Sequence, residues 1–155
     1  MLPLTYSAVL LRLAAAVGVG ALIGLDRELR RKPAGLRTLA LVALGSAVFV
    51  LETIDTTHGA YTEASARVIQ GIVTGVGFLG AGSIIRSVSD ESVRGLTTAA
   101  SIWLAAATGI ACGLANWPLV VCGSSLGVLV LIITPVERVI HNRRKTDAVN
   151  PTTAL

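Results

Sequence analysis

Charge is what this sequence has least of. Asp, Glu, Lys and Arg make up 14% of its 155 residues, against about 25% in an ordinary soluble domain. So few charges cannot cover a water-facing surface. Cysteine is present only twice and proline five times. The first number excludes a disulfide-built scaffold, and the second, beside 53% hydrophobic residues, excludes a disordered or collagen-like chain. Short alternating segments are also missing, which argues against a membrane β-barrel. No Ser has a His placed to serve as its base, so no catalytic residue is assigned. No carboxylates fall near the middle of an apolar run, and His58 and His141 lie on opposite sides of the expected bundle. No metal ligand set and no cofactor is therefore expected.

What is present is apolar length. The mean hydropathy is +0.74, and five runs approach the ~20 residues that a helix needs to cross the hydrocarbon. They are Tyr6–Leu25, Leu36–Leu51, Val68–Ile85, Leu96–Ala115 and Pro118–Pro135. Backbone polar groups in lipid need internal partners, so these runs are expected as helices. The expectation is an all-α, polytopic membrane bundle over residues 1–136, with a short basic, disordered cytoplasmic tail over 137–155. No positive n-region or small-residue cleavage site marks the first run as a removable signal peptide.

The basic residues set an orientation. Arg27, Arg30, Arg31, Lys32 and Arg37 lie in the first connection, Arg86 and Arg94 in the third, and Arg138, Arg143, Arg144 and Lys145 in the tail. These eleven of the 13 Lys and Arg share one side, which the positive-inside rule makes cytoplasmic. The N-terminus is then outside and the C-terminus inside. Tyr6, Tyr61 and Trp117 fall at the outer interface, where amphipathic rings settle. The pI near 9.7 follows from this topology, with the lipid bilayer and not nucleic acid as the partner.

Glycine is abundant, with 16 residues. Gly20/Gly24, Gly71/Gly75, Gly109/Gly113 and Gly123/Gly127 each form G-x-x-x-G, and Gly77, Gly80 and Gly82 extend the third helix's small-residue content. Such spacing lets helix backbones approach closely. A compact bundle follows, with one such face left for a second protomer. Gly18-Val19-Gly20 recurs as Gly75-Val76-Gly77, and Gly35-Leu36-Arg37-Thr38 as Gly95-Leu96-Thr97-Thr98. Helices 1–2 and 3–4 thus read as two similar hairpins, a pattern known in transporters.

The chemistry-bearing residues gather on the cytoplasmic side. Helix starts 2 and 4 follow charged loops and offer free N–H groups that attract anions or carboxylates. Asp26, Arg27, Glu28, Arg37, Thr38, Arg94, Thr97 and Thr98 are expected in one polar cluster. It is either a structural network, with Asp26 paired to Arg37 or Arg94, or a ligand site at the membrane mouth. Arg12, inside helix 1, is expected either to pair with Glu52 or to snorkel. Cys112 and Cys122 flank the Asn116-Trp117-Pro118 turn and are expected as buried apolar thiols within lipid, with a disulfide between them as the alternative.

Three stretches carry a family resemblance: G-A-L-I-G-L-D-R-E-L-R-R-K-P-A-G-L-R-T-L-A-L-V-A-L-G from Gly20, G-V-G-F-L-G-A-G-S-I-I-R from Gly75 and V-R-G-L-T-T-A-A-S-I-W from Val93. Together they resemble the MgtC/SapB family of bacterial inner-membrane proteins, which usually has Glu where this chain has Asp26. The resemblance implies a multi-pass inner-membrane protein linked to low magnesium, host stress and virulence. It also implies a non-enzymatic regulator of membrane proteins such as the ATP synthase, expected here as a homodimer. The alternative is a small transporter or channel for Mg²⁺ or another ion. Many members carry a soluble C-terminal domain, which is expected to be absent from this chain, naturally or by truncation.

Overall fold

The computed structural model describes residues 5–54, 63–86 and 93–149. The elements are α1 (Tyr6–Leu29), α2 (Leu36–Glu52), α3 (Glu63–Gly82), β1 (Ile85–Arg86), β2 (Val93–Arg94), α4 (Leu96–Gly113) and α5 (Trp117–Val149). Helices α1, α3 and α4 are each long and apolar enough to cross a membrane. Helix α2 has 17 residues and α5 is apolar over Trp117–Ile133. The chain is an all-α membrane bundle.

Several bounds differ from the apolar runs, for local reasons. Helix α1 continues a full turn beyond Leu25, through Asp26-Arg27-Glu28-Leu29. Arg, Glu and Leu are good helix formers, and Asp26 and Arg30 form an i,i+4 ion pair at 2.7 Å. Helix α3 begins at Glu63, whose charge suits a helix N-terminus. It ends at Gly82, before Ile85, because Ile85–Arg86 pairs antiparallel with Val93–Arg94. Helix α5 runs past the boundary expected at residue 136 without a break, as far as Val149.

Helix α4 is the most buried and touches all four other helices, and small residues decide how α1 and α4 pack on α2. A methyl group at Gly20 of α1 would lie 2.5 Å from the Leu39 carbonyl oxygen and 2.8 Å from Ala40 Cα. At Gly24 it would lie 2.5 Å from Leu36 Cα. From the other side, a methyl at Gly109 of α4 would run into the Ala43 carbonyl, and one at Gly113 would sit 3.0 Å from the Ala47 carbonyl oxygen. Two G-x-x-x-G faces therefore grip α2 backbone to backbone. On α5, a methyl at Gly127 would collide with the Leu104 side chain of α4, and one at Gly123 would lie 3.9 Å from Thr108. Close approach of this kind recovers dispersion contacts that lipid cannot supply selectively.

The core is correspondingly fine-grained. One cluster joins Ala16, Ala43, Ala47, Ala111, Cys112 and Val120. Another joins Ile23, Leu39, Val76, Ile102, Ala105 and Ala106. The buried hydroxyls of Ser46, Thr108 and Ser124 bond back to the carbonyls of Val42, Leu104 and Val120 at 2.9, 2.9 and 2.6 Å. Each is satisfied within its own helix, so they form no polar line across the bundle.

Helix α3 is the outlier. Ser65, Val76 and Gly80 are its buried residues. A methyl at Gly80 would lie 3.6 Å from Ala99 and Trp103 of α4, but one at Gly71, Gly75, Gly77 or Gly82 would meet nothing within 4 Å. The two hairpins are therefore packed unequally, since Gly20 is pressed against its hairpin partner and Gly77 is not. Helix α4 seats its own small face on α2 instead of on α3.

Candidate functional site at the charged end of the bundle

Arg27, in the last turn of α1, is 3% exposed. A buried guanidinium must have all five donors met, and here it does. Nε donates to the Ala34 carbonyl at 3.1 Å, and Nη2 to the Pro33 carbonyl at 2.7 Å and to Thr98 Oγ1 at 2.5 Å. Nη1 donates to Ser101 Oγ at 3.1 Å and to the Thr97 carbonyl at 3.5 Å. Thr98 and Ser101 are three apart on α4 and so share a face. Ser101 Oγ gives its own proton to the Thr97 carbonyl at 2.7 Å, which leaves it free to accept. Ala34 adopts a left-handed φ of 54°, an uncommon conformation for a residue with a Cβ.

Arg27 thus ties α1, the 30–35 turn and α4 together through neutral acceptors. Among the described residues the one ion pair is Asp26–Arg30. Asp26 therefore pairs with Arg30 and not with Arg37 or Arg94. The i,i+4 neighbour on its own helix is already within reach, so no long-range partner is required.

Both helix starts carry a glycine for a steric reason. A methyl at Gly35 would collide with the Glu28 carboxylate. Glu28 Oε2 accepts the Leu36 N–H at 3.2 Å, so a carboxylate caps α2. Gly95, before α4, has φ 96°, and a methyl there would collide with the Ser83 carbonyl.

Above Arg27 lies a cavity of about 590 Å³, walled by Asp26, Arg30, Lys32, Arg94, Thr97 and Thr98 among others. The structure thus gathers Asp26, Arg27, Arg94, Thr97 and Thr98. Glu28 stands apart as the α2 cap. Arg37 and Thr38 lie elsewhere, at one end of a groove of about 910 Å³ between α2 and α3 that also includes Arg67, Gly71 and Gly75. Sequence reasoning missed Ser101, Arg30 and Lys32. The Thr98/Ser101 spacing on one helix face was the available signal for the first.

At the opposite end of the bundle Arg12 Nη1 donates to the Gly113 carbonyl at 2.9 Å. This meets one of the orphan carbonyls at the α4 C-terminus, where a cation is favoured. Glu52 is exposed and is not in an ion pair among the described residues. Cys112 is buried, but Cys122 is exposed on the outer face of α5, contrary to expectation. Tyr6 and Trp117 are exposed. Tyr61, His58, Asp90 and Glu91 lie outside the described residues, and so do the side chains of Arg138, His141, Arg143, Arg144 and Lys145. Among the described residues no three His, Cys, Asp or Glu side chains lie together.

Small-residue packing around α2, a fully hydrogen-bonded buried arginine and three helices of membrane length define a helical membrane bundle. Its sequence matches the model of the MgtC family over residues 13–143, and the chain belongs to that family. It is 47% identical over 108 residues to protein MgtC of Salmonella typhimurium, a match covering 70% of this chain and 44% of that protein. It is 43% identical over 129 residues to protein SrpB of Synechococcus elongatus, covering 77% and 71%. It is 40% identical over 124 residues to "Putative magnesium transporter YhiD" of Escherichia coli, covering 76% and 55%. The chain spans less than half the length of the Salmonella relative. No solved structure matches it.

Proposed function

We propose that this chain is a non-enzymatic, multi-pass protein of the bacterial inner membrane that regulates other membrane proteins by helix-to-helix contact. The observation that carries this reading is the fate of the four G-x-x-x-G faces. Those of α1, α4 and α5 are spent inside the bundle, while Gly71/Gly75 of α3 borders open space. A small-residue face on an open groove between α2 and α3 is suited to a second membrane helix. By the charge distribution the N-terminus is outside and the Arg27 end is cytoplasmic. A second copy of the chain and the ATP synthase are the partners that the family resemblance favours, in adaptation to low magnesium or host stress.

A second reading, a small ion transporter, draws on the charged-end cavity and on the name given to the Escherichia coli relative. Against it stand the close-packed α1–α2–α4 core and buried hydroxyls committed to their own helices. Purified chain reconstituted in liposomes separates the two. The regulator reading expects Mg²⁺ and proton flux no greater than in empty liposomes. Flux that is lost on Asp26→Asn would establish the transporter.

A further inference from the structure

We infer that a second copy of this chain docks on an outward-facing polar stripe of α3, so that two α3 helices pair in parallel about a two-fold axis normal to the membrane. The stripe is Glu63, Arg67, Gln70, Thr74, Gly77 and Ala81. Its spacing alternates between four and three, as the a and d positions of a heptad do. At about 100° per residue, all six positions fall on one face of the helix. Ser65 and Val76, which α3 buries, lie on the opposite face. Gly77 is half-buried and the other five are exposed. The side chains that cost most in hydrocarbon are therefore turned away from the bundle.

The stripe complements itself. Thr74 meets its own need by donating to the Gln70 carbonyl at 2.9 Å. The Gln70 carboxamide makes no hydrogen bond among the described residues. It stands about 10 Å along the helix axis from Glu63, within the span. Glu63 and Arg67 are four apart, yet among the described residues neither is in an ion pair. Copies inserted in the same direction run their α3 helices parallel, and an isologous contact sets each layer of the seam against its own kind. A carboxamide is both donor and acceptor, so Gln70 meets the partner's Gln70. Arg67 leans toward the helix N-terminus, which carries its guanidinium to the partner's Glu63, and the contact occurs twice. Gly77 and Ala81 let the backbones close farther along. Val73 and Phe78, both exposed, flank the seam with apolar surface. A lipid tail offers Gln70 no partner and cannot answer opposite charges one turn apart. The α2–α3 groove lies to one side and shares only Arg67 with the stripe.

The test uses the full chain reconstituted in phosphatidylcholine liposomes. In a Cys112→Ala/Cys122→Ala background, single cysteines are oxidised with copper phenanthroline. Thr74→Cys and Gly77→Cys, on the stripe, should give disulfide-linked dimers, and Leu79→Cys, on the groove side, should not. Self-association of the chain with its own cysteines is then read by Förster transfer as the liposomes are diluted with lipid. Gln70→Leu should weaken it by about three- to tenfold, the scale of a hydrogen bond between membrane helices. Glu63→Arg alone should also weaken it, and Glu63→Arg/Arg67→Glu should recover it, which general damage to the helix would not allow. Circular dichroism confirms that the variants keep their helices. A chain that stays monomeric, cross-links at Leu79 in place of Thr74 and Gly77, equal association of wild type and Gln70→Leu, or a charge swap that recovers nothing overturns the inference. It rests on α3 spanning the bilayer and not on regulation of another protein. Self-association with no effect on proton pumping would keep it and count against the regulatory reading alone.

Discussion

Ser101 of α4 accepts a hydrogen bond from Arg27 of α1 at 3.1 Å, across 74 positions of sequence. With Thr98 and the Pro33 and Ala34 carbonyls it makes the arginine a clasp between the first and fourth helices. The clasp contains no carboxylate. Arg27→Ala would leave two hydroxyls and two carbonyls without their donor and open a void, which should destabilise the protein by about 3 kcal/mol. Arg27→Lys keeps the charge but has three donors for five bonds, so it should fall between the two. Thermal unfolding in detergent checks the order wild type, Lys, Ala.

The glycine faces make opposite predictions on different helices. Gly109→Ala drives a methyl into the Ala43 backbone, which cannot yield without parting α2 and α4. About 2 kcal/mol or more should be lost by overpacking. Gly71→Ala meets open space and should change stability by no more than about 1 kcal/mol, in the stabilising direction, through helix propensity. Chemical unfolding of the two variants side by side decides it.

Gly95→Ala combines a left-handed φ of 96° with a collision at the Ser83 carbonyl. A loss of about 2 kcal/mol is expected, from αL strain and displacement of the turn that joins α3 to α4. Proteolysis rates across residues 83–95 should rise in this variant and not in Gly82→Ala, where a methyl finds room.

Arg12→Met should be mildly destabilising, by about 1 kcal/mol, because the Gly113 carbonyl loses its charged donor. Glu52→Gln should leave the unfolding midpoint where it was. Equal losses in both variants would restore the Arg12–Glu52 pairing.

Apolar runs of near-membrane length made the five helices legible, because lipid leaves the backbone little alternative. The end of α1 was not legible. Asp26-Arg27-Glu28 looks like the start of a solvated loop, yet the helix continues and turns Arg27 inward. Burial of one arginine within a basic stretch depends on which helix lies opposite, and α4 is some seventy residues away. The Asp26 partner was misjudged for the related reason that a local i,i+4 partner was available in Arg30. All four G-x-x-x-G pairs were visible, but not which would be used. That choice was settled by α2, whose Ala43 and Ala47 admit α4 and leave α3 at the edge. The cluster at the charged end was partly legible: Asp26, Arg27, Arg94, Thr97 and Thr98 lie together as expected, while Glu28 caps α2 and Arg37 and Thr38 turn to the α2–α3 groove.

In the regulatory account the chain acts through the small-residue face of α3 on the α2–α3 groove. It is tested most directly by ATP-driven proton pumping in inverted bacterial membrane vesicles. Vesicles without the chain, with the wild type and with Gly71→Leu/Gly75→Leu are compared at matched amounts of folded protein. The regulatory account predicts reduced pumping with the wild type and pumping restored to the chain-free level in the double variant. Reduced pumping that persists in the double variant, or none with the wild type, would contradict it.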